Sequence, residues 1–109
     1  KRKKFRKETN LDGIYKFTIK DPDNNIAEGV GKMTVTNISF SGLRVKVHST
    51  PRFAVGDKLT VEFKLNDIHQ SIVRKEVLVL NIHGRSVGME FIFNQTYDPA
   101  LGFYLLSNT

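Results

Sequence analysis

The chain has 109 residues, of which 39% are hydrophobic and 26% are charged, and its formal net charge is +6. A chain of this length forms one domain with a modest core. No apolar run approaches the roughly 20 residues that span a bilayer, and no apolar segment follows the basic start as in a secretory signal. The absence of cysteine excludes a disulfide framework and a thiolate metal site. We expect a cytoplasmic location and, because the chain begins with Lys rather than Met, a processed or excised piece.

The positive charge is concentrated at the N-terminus. Six of the 17 Lys and Arg residues lie within residues 1–7, and the other 11 are balanced by 11 Asp and Glu residues. Such a charge run is typical of a solvated terminus, so residues 1–12 are predicted to form a flexible basic arm. Arg2 and Arg6 differ from the lysines because a planar guanidinium can fork onto a phosphate or onto the O6/N7 edge of guanine. An anionic partner is expected, but charge alone leaves nucleic acid, a membrane surface and a dinucleotide open.

Alternating apolar and polar residues predict an all-β domain. The predicted strands lie around Tyr15–Ile19 and within residues 28–39, 43–47, 59–65, 72–82 and 86–93. Short strands separated by turn signals are typical of a small barrel or a sandwich. Asp98 and Pro99 then have the character of an N-cap and a first helical residue, so a short helix near residues 98–107 is predicted to pack on the strands.

Two strands have features that bear on how the sheet closes. Gly29 and Gly31, near the start of the second strand, predict a bulge or a tight bend of the kind that a closing barrel needs. Residues 77–80, Val-Leu-Val-Leu, are apolar on both faces of their strand. They predict a strand that is buried on both sides.

A polar run from Asn37 to Gly42 ends the second strand. Spacing of two residues places Asn37 and Ser39 on one strand face, together with Met33 and Val35. There the amide suits a purine edge and the hydroxyl adds an adaptable hydrogen bond. The alternative is a turn in which the Asn and Ser side chains satisfy local backbone groups and Gly42 supplies the bend.

Short motifs follow one another in a fixed order along the whole chain. Arg2-x-x-x-Arg6 comes first, and Asn37-x-Ser39-x-x-Gly42 follows. The other matches, in order, are Gly42–Val45, Val55–Asp57 and Val87–Phe91. This ordered set resembles the PilZ family, which are receptors for cyclic di-GMP. The resemblance implies a six-stranded antiparallel β-barrel with a C-terminal helix over residues 13–109, preceded by the basic arm.

The resemblance also implies ligand-binding roles for five residues. Arg2 and Arg6 would hold the phosphates and a guanine of the dinucleotide from the arm. Asn37 and Ser39 would hydrogen-bond a guanine from the barrel, and Gly42 would let the ligand approach the backbone. An Asn at position 37 is an accepted variant of Asp, although a carboxylate accepts hydrogen bonds from guanine N–H groups more strongly. Secondary contacts are expected from Lys1, Lys3, Lys7, Ser41 and Arg44.

The function implied by the resemblance is that of a bacterial, non-catalytic receptor that relays ligand binding by a conformational change. Its ligand is cyclic di-GMP, with no further cofactor and no metal; His48, His69 and His83 lack the spacing of metal ligands. The expected partner is a downstream protein or an attached effector domain, with no DNA and no membrane insertion. Two alternatives stay open: a basic barrel that binds single-stranded nucleic acid, and a PilZ module that binds only another protein.

Overall fold

The alternating apolar side chains form the inside of a closed barrel in the computed structural model, which describes residues 6–92 and 99–106. The elements, in chain order, are β1 (Arg6–Lys20), β2 (Ile26–Ser39), β3 (Gly42–Val47), β4 (Lys58–Lys64), β5 (Ile72–His83), β6 (Ser86–Phe91) and α1 (Pro99–Leu106). The strands are antiparallel and follow one another around the barrel as β1-β2-β3-β6-β5-β4, with β4 paired to β1. The predicted six-stranded antiparallel barrel with a C-terminal helix is confirmed.

Alternate residues point into the core along the regular parts of the strands. On β4, for example, Leu59, Val61 and Phe63 are buried, and the residues between them are partly or fully exposed. Burying a side chain of this size contributes about 1.5–3 kcal/mol. Helix α1 packs on the barrel with Leu101 and Tyr104, both buried in the same core, as the spacing predicts. The predicted N-cap at residue 98 lies outside the described residues. Among the residues that the structure describes, no helix has the length and apolar character to cross a bilayer.

The two glycines of β2 accommodate aromatic rings and do not mark a bulge. Gly29 is opposite Phe17 and Gly31 is opposite Tyr15, and the register of β1 with β2 is continuous through both pairs. A Cβ atom at either glycine would run into the ring of its partner, and both rings are buried. The prediction of a bulge here was therefore wrong, because the missing side chains serve close packing of the aromatic rings.

The apolar run of β5 is buried on one side only. Val77 and Val79 face the core, whereas Leu80 is 46% exposed. The prediction of a strand buried on both sides was wrong, because the wall of this barrel is one strand layer thick and its outer face meets solvent. A register shift between Val79 and Asn81 places one extra residue on β5, and after this shift Ile82 takes the inward position.

Strand β1 begins earlier than its apolar pattern indicates. It starts at Arg6, so the predicted arm of residues 1–12 overlaps the strand from that residue onward. A register shift between Glu8 and Leu11 places an extra residue on β1 and interrupts the alternation. The Thr9 hydroxyl then donates to the Val35 carbonyl at 2.7 Å. Because polar residues pair with β2 here, the sequence of this part of β1 has no alternating apolar pattern from which a strand could be predicted.

Candidate functional site

The polar run at the end of β2 faces outward because β2 has an extra residue there. Val35 is paired with Val45 and Asn37 with Arg44, so two steps along β2 match one step along β3, as in a β-bulge. The inward position consequently passes from Val35 to Ile38, which is fully buried. The prediction that Asn37 shares a face with Val35 was wrong, since the extra residue turns Asn37 to the outer surface.

Asn37 lies in a row of residues that crosses five neighbouring strands. The register gives the order Glu8, Asn37, Arg44, Gly88 and Asn81 on β1, β2, β3, β6 and β5. Directly opposed residues of antiparallel strands project from the same face. This polar row therefore lies on the outer surface of the barrel, and register shifts lie beside it on three of its four ladders.

Arg44 is held in a fixed orientation within the polar row. Its Nη1 donates to Ser86 Oγ at 3.0 Å, and its Nη2 donates to Asn81 Oδ1 at 3.0 Å. The guanidinium passes over Gly88, where a Cβ atom would lie only 2.9 Å from Nη2 and 2.8 Å from Asn81 Oδ1. Because a guanidinium has five N–H donors, these two bonds orient it without using all of its donors.

Sequence reasoning missed the residues that support Arg44. Asn81 and Ser86 come from strands far along the chain, so only the register brings them to Arg44. Gly88 gave a usable signal, because a glycine inside a strand often marks a place where another group approaches closely.

Ser39 fastens the tight turn between β2 and β3. Its hydroxyl donates to the Gly42 carbonyl at 3.2 Å and accepts from the backbone N–H groups of Ser41 and Gly42, both at 3.3 Å. The Ser41 hydroxyl also lies 3.2 Å from Ser39 Oγ, so four groups share the one donor and two acceptor positions of this hydroxyl. Ser39 thus has the structural role that the turn alternative describes, and its contact with a ligand stays a prediction.

The turn and the polar row border a groove of about 340 Å³ on the outside of the barrel. Its lining includes five of the predicted ligand-binding residues together with the unpredicted Asn81: Asn37, Ser39, Ser41, Gly42, Arg44 and Asn81. Amide, hydroxyl and guanidinium groups at one place suit hydrogen bonding to a polar, anionic molecule, and the exposed carboxylate of Glu90, which also lines the groove, adds an acceptor. Within the described ranges no three His, Asp or Glu side chains form a metal-binding group.

The remaining predicted residues belong to the N-terminal segment. Arg6 is the first residue of β1 and is paired with Ser39, at the edge of the groove. Lys1, Arg2 and Lys3 lie outside the described residues.

Lys7 contacts helix α1 and not the groove. Its Nζ donates to the Tyr104 carbonyl at 3.2 Å and lies 4.2 Å from the centroid of the Tyr104 ring, within the range of a cation–π interaction. Burial raises the pKa of the Tyr104 hydroxyl, and the negative charge of Asp67 adds to the rise. A cavity of about 920 Å³ separates this part of α1 from the β4–β5 loop. Lys7 therefore joins the start of β1 to the helix.

The sequence matches a known protein family. The sequence model of the PilZ domain matches residues 1–99. The chain belongs to the PilZ domain family. The groove of this PilZ domain thus lies where its Asn37-x-Ser39-x-x-Gly42 motif meets the start of β1.

The barrel is also similar to a solved structure of the family. That structure is described as the PilZ domain with c-di-GMP of YcgR from Escherichia coli, and it superposes with a TM-score of 0.61. The two sequences are 12% identical, and the match covers 96% of this chain and 86% of the other. This likeness concerns the fold. No curated protein sequence matches the chain significantly.

Gly42 of this PilZ domain is required by the packing of two strands. It is buried, and a Cβ atom there would run into the carbonyl oxygen of Met89 and lie 2.9 Å from the Cα of Glu90. Both atoms belong to the backbone of β6, which is fixed by its ladders with β3 and β5.

We therefore expect Gly42→Ala to lower the free energy of unfolding by about 1–3 kcal/mol without any ligand, since overpacking of a close contact costs this much. Urea denaturation monitored by circular dichroism measures the change. Ser41→Ala, at the exposed neighbouring position, is the control and should stay within about 0.5 kcal/mol of the unsubstituted domain. Equal stability of Gly42→Ala and the unsubstituted domain would contradict the packing role.

Proposed function

We propose that this PilZ domain is a non-catalytic receptor for cyclic di-GMP, which it binds in the groove between the start of β1 and the β2–β3 turn. Membership of the family supports this function, as does the likeness of the fold to a PilZ domain described with c-di-GMP. The proposal assigns the ligand contacts to Arg2 and Arg6 on one side and to Asn37, Ser39 and Arg44 on the other.

The register of β1 against β2 is the observation that carries the proposal. Arg6 and Ser39 belong to the two motifs and are distant in sequence, yet they are directly opposed in the ladder. Opposed Cα atoms of antiparallel strands are about 4.5–5.5 Å apart, so one small ligand can touch both motifs. Because Arg6 already belongs to β1, the ordering cost of about 1–2 kcal/mol per residue does not arise at this position.

The chemistry of the groove matches that of the ligand. Cyclic di-GMP presents two phosphate groups, each with one negative charge, and two guanines. The oriented guanidinium of Arg44 and the guanidinium groups of Arg2 and Arg6 can fork onto phosphate oxygens or onto the O6/N7 edge of guanine. A hydrogen bond to a charged group contributes about 1.5–3 kcal/mol, and the lysines of the N-terminal segment attract the anion over a longer range.

Two substitutions in the N-terminal segment test whether geometry or charge determines the affinity. Arg6→Lys keeps the charge but loses the planar fork, so we expect it to weaken cyclic di-GMP binding by about tenfold or more. Lys4→Ala removes a charge without a fork and should cost less than about threefold. Isothermal titration calorimetry measures both affinities.

Equal losses in the two variants would mean that the segment acts only through its charge. An unsubstituted domain that gives no binding heat with cyclic di-GMP at millimolar concentration would contradict the proposed function. Tighter binding of a single-stranded oligonucleotide, with an affinity that falls steeply with salt, would favour the nucleic-acid alternative.

We propose further that ligand binding is relayed to helix α1 through Lys7. Lys7 follows Arg6 in β1, so a ligand that holds Arg6 also constrains the strand segment from which Lys7 reaches Tyr104. The relay is then a shift in population between more and less firmly docked states of α1, which offers a changed surface to a downstream protein or an attached domain.

Hydrogen exchange of the helix tests this relay. With cyclic di-GMP bound, we expect slower amide exchange in residues 99–106 of the unsubstituted domain, because the ligand stabilises the segment that carries Lys7. Lys7→Met removes the hydrogen bond and the cation–π contact and should abolish this slowing at saturating ligand. Lys20→Met, which removes the same charge at the exposed far end of β1, should leave it intact. No effect of ligand on the helix, or equal effects in both variants, would contradict the relay.

A further inference from the structure

Glu8 lies on β1 next to Asn37 of the groove, at a position that the motifs do not include, and it also lines the cavity beside α1. It is exposed and directly opposite Asn37, and Asn37 is directly opposite Arg44 on its other side. Neighbouring strands are about 4.7–4.9 Å apart, so Asn37 starts about that far from each of the other two side chains, and Glu8 and Arg44 start roughly twice as far from each other. A carboxylate, an amide and a guanidinium therefore follow one another along the polar row.

This order of groups complements the edges of guanine. The Watson–Crick edge of guanine carries the N1–H and 2-amino donors, and the adjacent O6 and N7 atoms are acceptors. A carboxylate accepts at two oxygens, whereas the amide of Asn37 has one acceptor oxygen. A guanidinium donates to O6 and N7 in the commonest specific contact with guanine. Adenine presents an acceptor at N1 and a donor at its 6-amino group, so it does not match this order.

We infer that Glu8 is a specificity-determining residue of the cyclic di-GMP site, with its carboxylate accepting hydrogen bonds from N1–H and the 2-amino group of one guanine. The inference rests on the proposed function. Arg44 takes the O6/N7 edge of the same base, held in place by Asn81 and Ser86. Glu8 thus supplies a carboxylate directly beside Asn37, whereas the Glu90 carboxylate, which also lines the groove, lies on β6 opposite Gly42.

The direction in which one substitution changes the affinity for cyclic di-GMP shows whether the Glu8 carboxylate attracts or repels the ligand. If the Glu8 carboxylate accepts from guanine, its removal weakens binding. If it lies near the phosphates of the ligand, it repels them, and its removal strengthens binding. Glu8→Gln keeps the shape of the side chain and removes only the charge and one acceptor oxygen.

The experiment is isothermal titration calorimetry of the unsubstituted domain, Glu8→Gln and Glu28→Gln with two ligands. One ligand is cyclic di-GMP, and the other is the corresponding inosine dinucleotide, which lacks the 2-amino group. Glu28 is an exposed residue on β2, paired with Thr18 in the β1–β2 hairpin away from the groove, so its substitution is a matched control for the loss of one charge.

We expect Glu8→Gln to weaken cyclic di-GMP binding by about tenfold to a hundredfold, the range for loss of hydrogen bonds to a charged group. The inosine ligand should be weakened less, so the preference of the domain for guanine falls. Glu28→Gln should change either affinity by no more than about twofold. Because the preference is a ratio within one protein, a loss of folded protein does not imitate this result.

Glu8→Gln that binds cyclic di-GMP as tightly as Glu28→Gln, or more tightly than the unsubstituted domain, would overturn the inference and leave the proposed function in place. An unchanged preference for guanine over the inosine ligand would do the same. Failure of the unsubstituted domain to bind cyclic di-GMP would instead overturn the proposed function and this inference with it.

Discussion

The extra residue of β2 between Val35 and Asn37 is the constraint on which the site depends. Without it, the period of two would direct Asn37 and Ser39 into the core. That core contains no buried polar or charged side chain among the described residues, and an unsatisfied buried polar group costs about 1–3 kcal/mol. With the extra residue, Ile38 enters the core and the polar side chains reach the outer surface. Ile38 thereby serves the core, while its neighbours Asn37 and Ser39 are left for the proposed ligand site.

The groove forms because two positions on the outer surface of the barrel are glycines, which have no side chain. At Gly88 the absent side chain gives the Arg44 guanidinium room to reach Asn81, and at Gly42 it lets β3 approach β6. A wall that is one strand layer thick has no cleft between elements on its outside, so a depression needs such small residues. The register shifts beside the polar row add to this, because bulges bend a strand and redirect its side chains.

Alternation of apolar residues was sufficient to predict five of the strands closely, because each has one face in the core. It failed for the N-terminal half of β1, where Thr9 and its neighbours are held by β2 through polar contacts. It also misassigned Leu80, since an apolar run does not reveal which of its residues face solvent.

The ordered motifs predicted the PilZ family, which the family comparison confirms, and they named most of the groove lining. They could not predict that Asn81 supports Arg44 or that Glu8 stands beside Asn37. Those neighbours depend on the register of strands that are far apart in sequence, and one residue of slip would exchange them.

A titration followed by ¹H–¹⁵N correlation spectra of the labelled domain tests the location of the proposed ligand site most directly. We predict that cyclic di-GMP shifts the backbone amide signals of Asn37, Arg44 and Gly88 strongly and leaves those of the distant hairpin, such as Glu28, unchanged. Strong shifts confined to the cavity beside α1 around Asp67, with the polar row unaffected, would contradict it.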